Sequence, residues 1–161
     1  LVGSEMCIRD SYLTWKVKQF DMHTRFIELA GEINSSMPNY VIEKISTVLN
    51  NTCKSIKNSK ILILGLSYKK NIEDTRESPS LQIFDLLIKK GAIISYSDPF
   101  VPFIKNKIQS IKLTELNISS QDLTLILTDH DEFDYHLIKK YSKLIIDTRG
   151  RFETSEKIIR G

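Results

Sequence analysis

The chain has 161 residues, of which 41% are hydrophobic and 27% are charged, and its 23 basic and 20 acidic residues give a net charge of +3. That length fits one ordinary domain, or a small domain with an appended helical piece, and the composition is normal for a globular protein. The charges are well mixed, with no basic stripe interleaved with aromatic residues, which argues against nucleic-acid binding, and no apolar run approaches the roughly 18 residues of a membrane span.

The start of the chain and its two cysteines indicate neither export nor a metal site. The first residues lack the basic and apolar regions of a secretory signal. Cys7 and Cys53 lie far apart without CxxC spacing, so no disulfide framework or zinc site is indicated. We therefore expect a cytoplasmic protein, with Cys53 as a small buried apolar residue on or after a helix.

The N-terminal third has the periodicity of helix. Between residues 24 and 37, apolar side chains recur at helical spacing, namely Phe26, Ile27, Ala30, Ile33 and Met37. Pro38 predicts a break or a new first turn, after which residues 40–49 continue with a broad apolar face. The helical segment is too apolar on one side to stand alone, so it should pack on another domain or another subunit.

After a polar stretch at residues 50–59, the pattern changes to short strands alternating with helices. Residues 61–64 form a continuous apolar run, typical of a strand covered on both faces. A helix is predicted from residue 79 or 80 to residue 90, with Gly91 ending it. Its inward side chains should be Leu81, Phe84, Leu87 and Ile88. Further strands are predicted at 92–96, 123–127 and 144–146, a helix at about 133–140, and a short strand near 108–113. This alternation predicts an α/β fold with a doubly wound parallel sheet.

Positive side chains follow several of the predicted strands. In an open parallel sheet, ligands bind beyond the carboxyl ends of the strands, where Lys69, Lys70, Arg76 and Arg149 would converge. Arginine suits phosphate because its planar fork donates two hydrogen bonds at once. The loop at 67–78 is longer than the usual 2–6 residues, and free N–H groups at the start of its helix would add positive potential. An anion site is therefore predicted.

Several alternatives stay open for these residues. If no anion binds at this edge, Lys69 and Lys70 would be solvated loop charges, and Arg76 would pair locally with Glu73 or Asp74. Gly65 is followed by no second glycine, so neither a dinucleotide fingerprint nor a Walker-type phosphate loop is present at this turn. His130, between two aspartates, is expected to be a hydrogen-bonding residue rather than a metal ligand.

A series of motifs in order resembles one enzyme family. The motifs are G-x-x-Y-K-K at 65–70, D-T-R-E-S-P at 74–79, Y-S-D-P at 96–99, T-D-H at 128–130 and D-T-R at 147–149. Together with helical segments at 12–16 and 23–34, they are similar to the C-terminal part of the UDP-glucose/GDP-mannose dehydrogenase family. The residues of these helical segments most resemble those of the branch that acts on UDP-N-acetylglucosamine. The resemblance covers the chain from about residue 12 to its end.

The resemblance implies an NAD-dependent enzyme of nucleotide-sugar metabolism that oxidises the C6 hydroxyl of a UDP-hexose, expected to be UDP-N-acetylglucosamine, to a carboxylate. It implies a Rossmann-like UDP-sugar-binding domain at 58–161, a remnant of a central helical dimerisation domain at 12–57, and an unrelated, disordered start at 1–11. Tyr68 and Lys69 would contact the UDP-sugar, Arg149 would reach its phosphate or sugar end, and Arg76 would lie near the NAD pyrophosphate. The N-terminal helix would join two copies in a homodimer.

The same resemblance also predicts which of the family's functional motifs are absent from this chain. The NAD-binding glycine fingerprint is absent, so NAD would be bound mainly by an N-terminal domain that the chain lacks. The family nucleophile lies in a G-G-x-C-x-P-x-D-P-x-Y-L motif, whereas Cys7 stands five residues before Tyr12 instead of seven, without the glycines or prolines. Cys7 is therefore not expected to be catalytic, and the chain alone should be inactive. The alternatives are a stand-alone nucleotide-sugar-binding module and a dimerisation module without catalysis.

Overall fold

A computed structural model of the protein describes residues 12, 15, 16, 25–104 and 108–161. Its first long element is the 26-residue helix α1 (Arg25–Asn50). The second half of α1 packs into the core through a set of fully or nearly buried side chains: Val41, Ile42, Ile45, Val48 and Leu49. Each such aliphatic side chain contributes about 1.5–3 kcal/mol on burial, so these residues fix the helix on the sheet. Cys7 lies outside the described residues, and the proposed boundary at residue 12 stays a prediction.

The predicted break at Pro38 was wrong, because α1 continues through this residue. Proline removes the one hydrogen bond that its N–H would donate to the carbonyl of Asn34. In the turns before it, Ser35 Oγ donates to the carbonyl of Gly31 and Ser36 Oγ to that of Ile33, both at 2.8 Å. Pro38 is itself buried, and the packing of the following residues outweighs the local cost of the proline.

The end of α1 places Cys53 in an exposed position, so the expectation of a buried cysteine was wrong. The N–H of Cys53 donates to the carbonyl of Asn50 (2.9 Å), and the N–H of Lys54 donates to that of Leu49 (3.0 Å). This pair of bonds is the Schellman arrangement, which requires a left-handed residue after the helix. Cys53 supplies that conformation with φ 56°.

The described strands form one parallel sheet and one small hairpin. In chain order they are β1 (Lys60–Leu64), β2 (Ile93–Ser97), β3 (Phe103–Ile104), β4 (Ile108–Gln109), β5 (Leu123–Ile126), β6 (Ile145–Asp147) and β7 (Ile158–Arg160). The sheet order is β2-β1-β5-β6-β7 with every pair parallel, whereas β3 and β4 are antiparallel. The predicted doubly wound α/β fold is confirmed, with β7 as a further strand that the sequence had not indicated.

Three shorter helices follow α1 in the described chain: α2 (Pro79–Lys89), α3 (Glu115–Ser119) and α4 (Tyr135–Tyr141). Gly91, at φ 80°, ends α2 as predicted. The buried face of α2 is Ser80, Ile83, Phe84 and Leu87. Phe84 and Leu87 were therefore predicted correctly, but Ile88 is 46% exposed, because the packed stripe of the helix runs through Ile83 instead.

The sheet is covered on both faces, as the apolar run of β1 had indicated. Ile61 and Ile63 of β1 belong to the core beneath α1 and α2, whereas Leu62 and Leu64 belong to a second core that includes Ile138 of α4. Successive side chains of a strand point to opposite faces, so β1 contributes to both cores. In the described part of the chain, no helix is long and apolar enough to cross a membrane; the cytoplasmic location stays a prediction.

Candidate functional site

The candidate site lies where the strand order reverses. β1 connects through α2 to β2 on one side, while β5 is the neighbour of β1 on the other side. Gly65, which follows β1, is at φ 79°, and a Cβ added there would lie 2.3 Å from the carbonyl oxygen of Thr128, which follows β5. Thr128 Oγ1 also donates to the carbonyl of Ser67 (2.7 Å). The loops after β1 and β5 are therefore in direct contact at the edge where parallel sheets bind ligands.

A cavity of about 540 Å³ opens between this edge and α1. Tyr68 and Lys69 from the loop after β1 line it, together with Arg149 from the loop after β6. Asn34 and Ser35 of α1 form part of the opposite wall. A volume of this size is within the range of about 300–1,000 Å³ for small-molecule sites. The structure thus brings together the three residues that the family resemblance implied as substrate contacts.

Arg149 is held at the rim of the cavity by the carboxylate of Asp147. Asp147 Oδ1 accepts the N–H groups of Arg149 and Gly150, both at 2.9 Å, and its Oδ2 accepts that of Phe152 (2.8 Å). The guanidinium Nε donates to the carbonyl of Leu127 at 2.6 Å. Only Nε is thereby used within the described chain, so the terminal nitrogens remain available for a two-pronged contact with an anion.

The segment that carries Tyr68 and Lys69 is fixed by short local bonds. The N–H of Tyr68 donates to the carbonyl of Asp74 at 2.7 Å, which closes the loop on itself. Ser67 Oγ donates to the carbonyl of Lys69 at 2.8 Å. Tyr68 is half-buried, whereas the side chain of Lys69 is exposed. The loop therefore presents a ring and a cation to the cavity from a well-bonded backbone.

Asp98, which follows β2, holds the base of this loop. Its Oδ2 accepts the N–H groups of Leu66 (2.7 Å) and Ser67 (3.2 Å). Its Oδ1 accepts those of Phe100 (2.8 Å) and Val101 (3.0 Å). Asp98 is 2% exposed, so water cannot take the place of its carboxylate as the acceptor for these N–H groups. Asp98 therefore ties the loop after β1 to the loop after β2.

His130 is a buried hydrogen-bonding residue, as the sequence analysis expected. Its Nε2 lies 3.2 Å from Asp98 Oδ2 and 3.1 Å from Ser67 Oγ, and its Nδ1 accepts the N–H of Asn71 at 2.9 Å. Burial by itself raises the pKa of Asp98, but hydrogen bonds from His130 and from the N–H of Leu66 outweigh it, and the pKa lies below its ordinary value. Among the described residues, no group of three or more His, Cys, Asp or Glu side chains could hold a metal ion.

The other two predicted cations lie outside this cavity. Arg76 donates from Nε and a terminal nitrogen to the two oxygens of Asp74 at 3.0 and 2.9 Å. These hydrogen bonds lower the pKa of Asp74 to about 2. Arg76 instead lines a second cavity of about 430 Å³ beside Phe100 and Phe103. Lys70 pairs with Asp131 at 2.6 Å. The local pairing of Arg76, which the sequence left open, is thus what the structure shows.

The start of α2 contributes less than expected. Pro79 has no N–H, the N–H of Ser78 donates to the carbonyl of Thr75 (3.2 Å), and the N–H of Ser80 donates to Ser78 Oγ (3.3 Å). The expectation of free N–H groups at this helix start was therefore wrong. The reason is the N-cap itself, because the Ser78 side chain occupies the position that an anion would need.

The contribution of α1 to the cavity was missed by the sequence analysis. The sequence placed Asn34 and Ser35 within the N-terminal helical segment, and nothing in their spacing marks them as a cavity wall. Pro38 gave the available signal. Its missing N–H frees the carbonyl of Asn34 from its ordinary helical bond, and Pro38 lines the same cavity.

Comparison with known proteins gives a consistent result. Residues 62–154 match the "UDP-glucose/GDP-mannose dehydrogenase family, UDP binding domain". The UDP-N-acetyl-D-mannosamine dehydrogenase of Methanococcus vannielii is 36% identical over 144 residues, which cover 84% of this chain and 33% of that protein. The NDP-N-acetyl-D-galactosaminuronic acid dehydrogenase of Ralstonia nicotianae is 30% identical over 131 residues, covering 78% of this chain and 30% of that protein.

The similarity extends to solved structures. The UDP-D-ManNAc dehydrogenase from Pyrococcus horikoshii superposes with a TM-score of 0.70 at 27% identity, covering 84% of this chain and 32% of that one. The UDP-N-acetyl-mannosamine dehydrogenase from Staphylococcus aureus gives 0.67 at 28% identity, covering 85% and 33%. The chain thus spans about a third of the length of these relatives.

Proposed function

The chain belongs to the UDP-glucose/GDP-mannose dehydrogenase family, and we propose that it binds the diphosphate of a UDP-sugar in the cavity lined by Tyr68, Lys69 and Arg149. One observation carries this proposal. Two motifs far apart in the sequence place two cations and an aromatic ring on the same cavity, and one of those cations has its terminal nitrogens uncommitted in the described chain.

Each of the three residues has a chemically distinct role in this proposal. Arg149 offers a planar fork that matches two oxygens of a pyrophosphate, whereas Lys69 offers a compact charge that can move with the ligand. Tyr68 provides a flat apolar surface with a hydroxyl, suited to a uracil or sugar ring. Asn34 supplies amide and carbonyl groups on the facing wall, so hydroxyl and N–H groups of the ligand find partners there.

For the whole protein, we propose oxidation of the C6 hydroxyl of the UDP-sugar to a carboxylate, with two NAD molecules each accepting one hydride and water supplying the second carboxylate oxygen. The turn after β1 does not fit the NAD pyrophosphate, because it has one glycine and the Cβ position of Gly65 is filled by Thr128. NAD would therefore be held mainly by another domain of the whole protein. Arg76, which lines the separate cavity, is the proposed contact from this chain and would have to leave Asp74 to reach the cofactor.

We propose an N-acetylated UDP-hexosamine as the substrate. The sequence predicted UDP-N-acetylglucosamine, whereas the similar proteins named above include several that act on UDP-N-acetyl-D-mannosamine. These two sugars differ only in the configuration at C2. A side-by-side titration with both, at equal concentration, therefore separates the two assignments without any change to the diphosphate contacts.

A second proposal, homodimerisation through α1, is favoured by its exposed face. Large apolar side chains recur along one side of the first half of the helix: Phe26, Leu29, Ile33, Met37 and Tyr40, all at least 40% exposed. Such a stripe is typical of a helix that packs on a partner. Sedimentation of Ile33→Lys should give a monomer, whereas Glu32→Lys, at an exposed polar position of the same helix, should sediment like the unaltered chain.

Isothermal titration with UDP and both UDP-sugars, with NAD as a control, tests the principal proposal. The uridine ligands should bind, and Lys69→Ala and Arg149→Ala should each weaken binding by about 10- to 100-fold, the effect of losing a hydrogen bond to a charged group. Lys70→Ala is the matched control, because the neighbouring lysine points to Asp131 and does not line the cavity. A folded protein that binds no uridine ligand would support a dimerisation module instead.

A further inference from the structure

We infer that His130 is a positioning residue for the nucleotide-sugar site. Its neutral ring holds the loop of Tyr68 and Lys69 in the binding conformation, and protonation of the ring at Nδ1 releases that loop. The inference rests on the proposed function, because it assigns a pH dependence to the same cavity. His130 does not line the cavity and acts only through the residues that it holds.

The hydrogen bonds define the protonation state of the ring. The N–H of Asn71 can only donate, so Nδ1 must carry a lone pair to accept it at 2.9 Å. The ring proton is therefore on Nε2, where it is shared by Asp98 Oδ2 at 3.2 Å and Ser67 Oγ at 3.1 Å. Ser67 can accept because its own hydroxyl proton is directed to the carbonyl of Lys69. One neutral tautomer satisfies every partner.

The two contacts of the ring lie at either end of the loop. Ser67 precedes Tyr68 and Lys69, and Asn71 follows them, so the ring spans the segment that lines the cavity. Asn71 is at φ 60°, the left-handed region that asparagine adopts more readily than other residues with a side chain. Its side chain exchanges two hydrogen bonds with Asp131, at 2.7 and 3.0 Å. Within the described residues, loss of the backbone bond to His130 would leave Asn71 held by this exposed pair.

Protonation breaks one of these contacts selectively. A proton on Nδ1 would face the N–H of Asn71 across 2.9 Å, and two donors cannot share that distance. The Nε2 contact with Asp98 would remain and would become an ion pair. The rings of Phe100 and Phe133 cover the imidazole at centroid distances of 5.0 and 5.4 Å, so it cannot turn towards water without displacing them. The repulsion between the two N–H groups is therefore relieved by movement of the loop.

Several charged or titratable groups surround the ring. Asp98 faces the ring from the loop after β2, with Oδ2 at 3.2 Å from Nε2, and Asp129 and Asp131 are the neighbours of His130 in the chain. Lys70, paired with Asp131, opposes protonation of the ring from the loop after β1. The hydroxyl of Tyr135 donates to the carbonyl of His130 at 2.8 Å, and burial raises its pKa to about 12, so it stays neutral and does not titrate with the ring.

Binding of UDP-N-acetylmannosamine at about pH 7.5 and about pH 5.5, which brackets histidine titration, tests the inference. A UDP-sugar is preferable to UDP, because it lacks the terminal phosphate whose second pKa is about 6. The unaltered chain should bind about tenfold more weakly at the lower pH, the effect of one lost buried hydrogen bond. His130→Gln, a neutral donor and acceptor, should bind at both pH values with little difference, and His136→Gln, at an exposed histidine, should retain the pH dependence.

A ligand-free measurement separates this inference from the proposed function. Nitrogen spectra of the ring should show the Nε2–H tautomer at about pH 7.5, and Nδ1 should gain its proton over the same pH range in which binding of the UDP-sugar weakens. The Asn71 amide should then lose protection from exchange, after correction for intrinsic rates, while the amides of β1 keep theirs. Any one of four results would overturn the inference: an Nδ1–H tautomer, a ring still neutral at about pH 5.5, unchanged protection of the Asn71 amide, or an equal pH dependence of binding in His130→Gln. Absence of binding at about pH 7.5 alongside the expected spectra would refute the binding proposal alone.

Discussion

Replacing Asp98 with asparagine tests how the site is held together. The carboxylate accepts five hydrogen bonds: Oδ1 takes two backbone N–H groups, and Oδ2 takes two more together with His130 Nε2. Asp98→Asn keeps the shape of the side chain but replaces one accepting oxygen with an NH₂ group, which can only donate. Whichever way the amide turns, some buried N–H groups will face another donor.

The magnitude follows from the more favourable of the two amide orientations. With the amide oxygen at the Oδ2 position, the N–H groups of Phe100 and Val101 lose their acceptor. Each buried donor left without a partner costs about 1–3 kcal/mol, so the variant should lose about 2–6 kcal/mol of unfolding free energy. That is a large share of the roughly 5–15 kcal/mol by which domains are stable.

Urea denaturation at neutral pH and at a series of lower pH values measures this loss. The folded pKa of Asp98 lies below its ordinary value. The ionised carboxylate therefore stabilises the fold above the unfolded pKa of about 3.9, and that stability is lost as the pH falls through the folded pKa. The difference between Asp98→Asn and the unaltered chain should shrink below about pH 4. Glu132→Gln, at an exposed carboxylate, is the control, and a neutral-pH difference under about 0.5 kcal/mol for Asp98→Asn would refute the reasoning.

Four further substitutions test local features. Gly65→Ala should destabilise the fold by more than about 2 kcal/mol in thermal unfolding. The left-handed conformation of residue 65 alone costs about 1–2 kcal/mol for alanine, and the added Cβ would also strike Thr128. Gly31→Ala, where an added Cβ meets nothing within 4 Å, should instead stabilise α1 by about 0.5–1 kcal/mol. Cys53→Gly should stabilise the chain by about 1 kcal/mol by relieving φ 56°, and an unchanged melting temperature would contradict that strain. Arg149→Lys should weaken UDP binding by about tenfold in titration, since lysine cannot make the planar two-pronged contact, and full affinity would show that charge alone suffices.

The motifs at the strand ends serve the architecture as much as the ligand. Asp98 and Asp147 each accept several backbone N–H groups, and His130 accepts one more, at the edge where parallel strands stop and their backbone groups need partners. These residues are therefore expected to affect binding through the loops that they hold. Lys69 and Arg149, in contrast, have exposed side chains, and the terminal nitrogens of Arg149 are not used within the described chain.

The sequence by itself determined the elements whose signals are local. The apolar run of β1, Gly91 after α2 and the alternation of strands and helices each depend on neighbours a few positions away, and they predicted the doubly wound sheet. The order of the strands along the chain also indicated that Lys69 and Arg149 would meet, together with Lys70 and Arg76, because the carboxyl ends of parallel strands share one edge.

Only the tertiary structure decided which of the cations share a site. Arg76 and Lys70 have the same local chemistry as Arg149 and Lys69, but each of them pairs with an aspartate. Arg76 pairs with Asp74, and Lys70 pairs with Asp131. The pair of Lys70 and Asp131 depends on how two loops pack. The continuity of α1 through Pro38 likewise follows from burial of the residues after it, which no propensity of the proline reveals. Local signals fix the backbone of each element, whereas the direction of a charged side chain is set by partners that only the fold brings near.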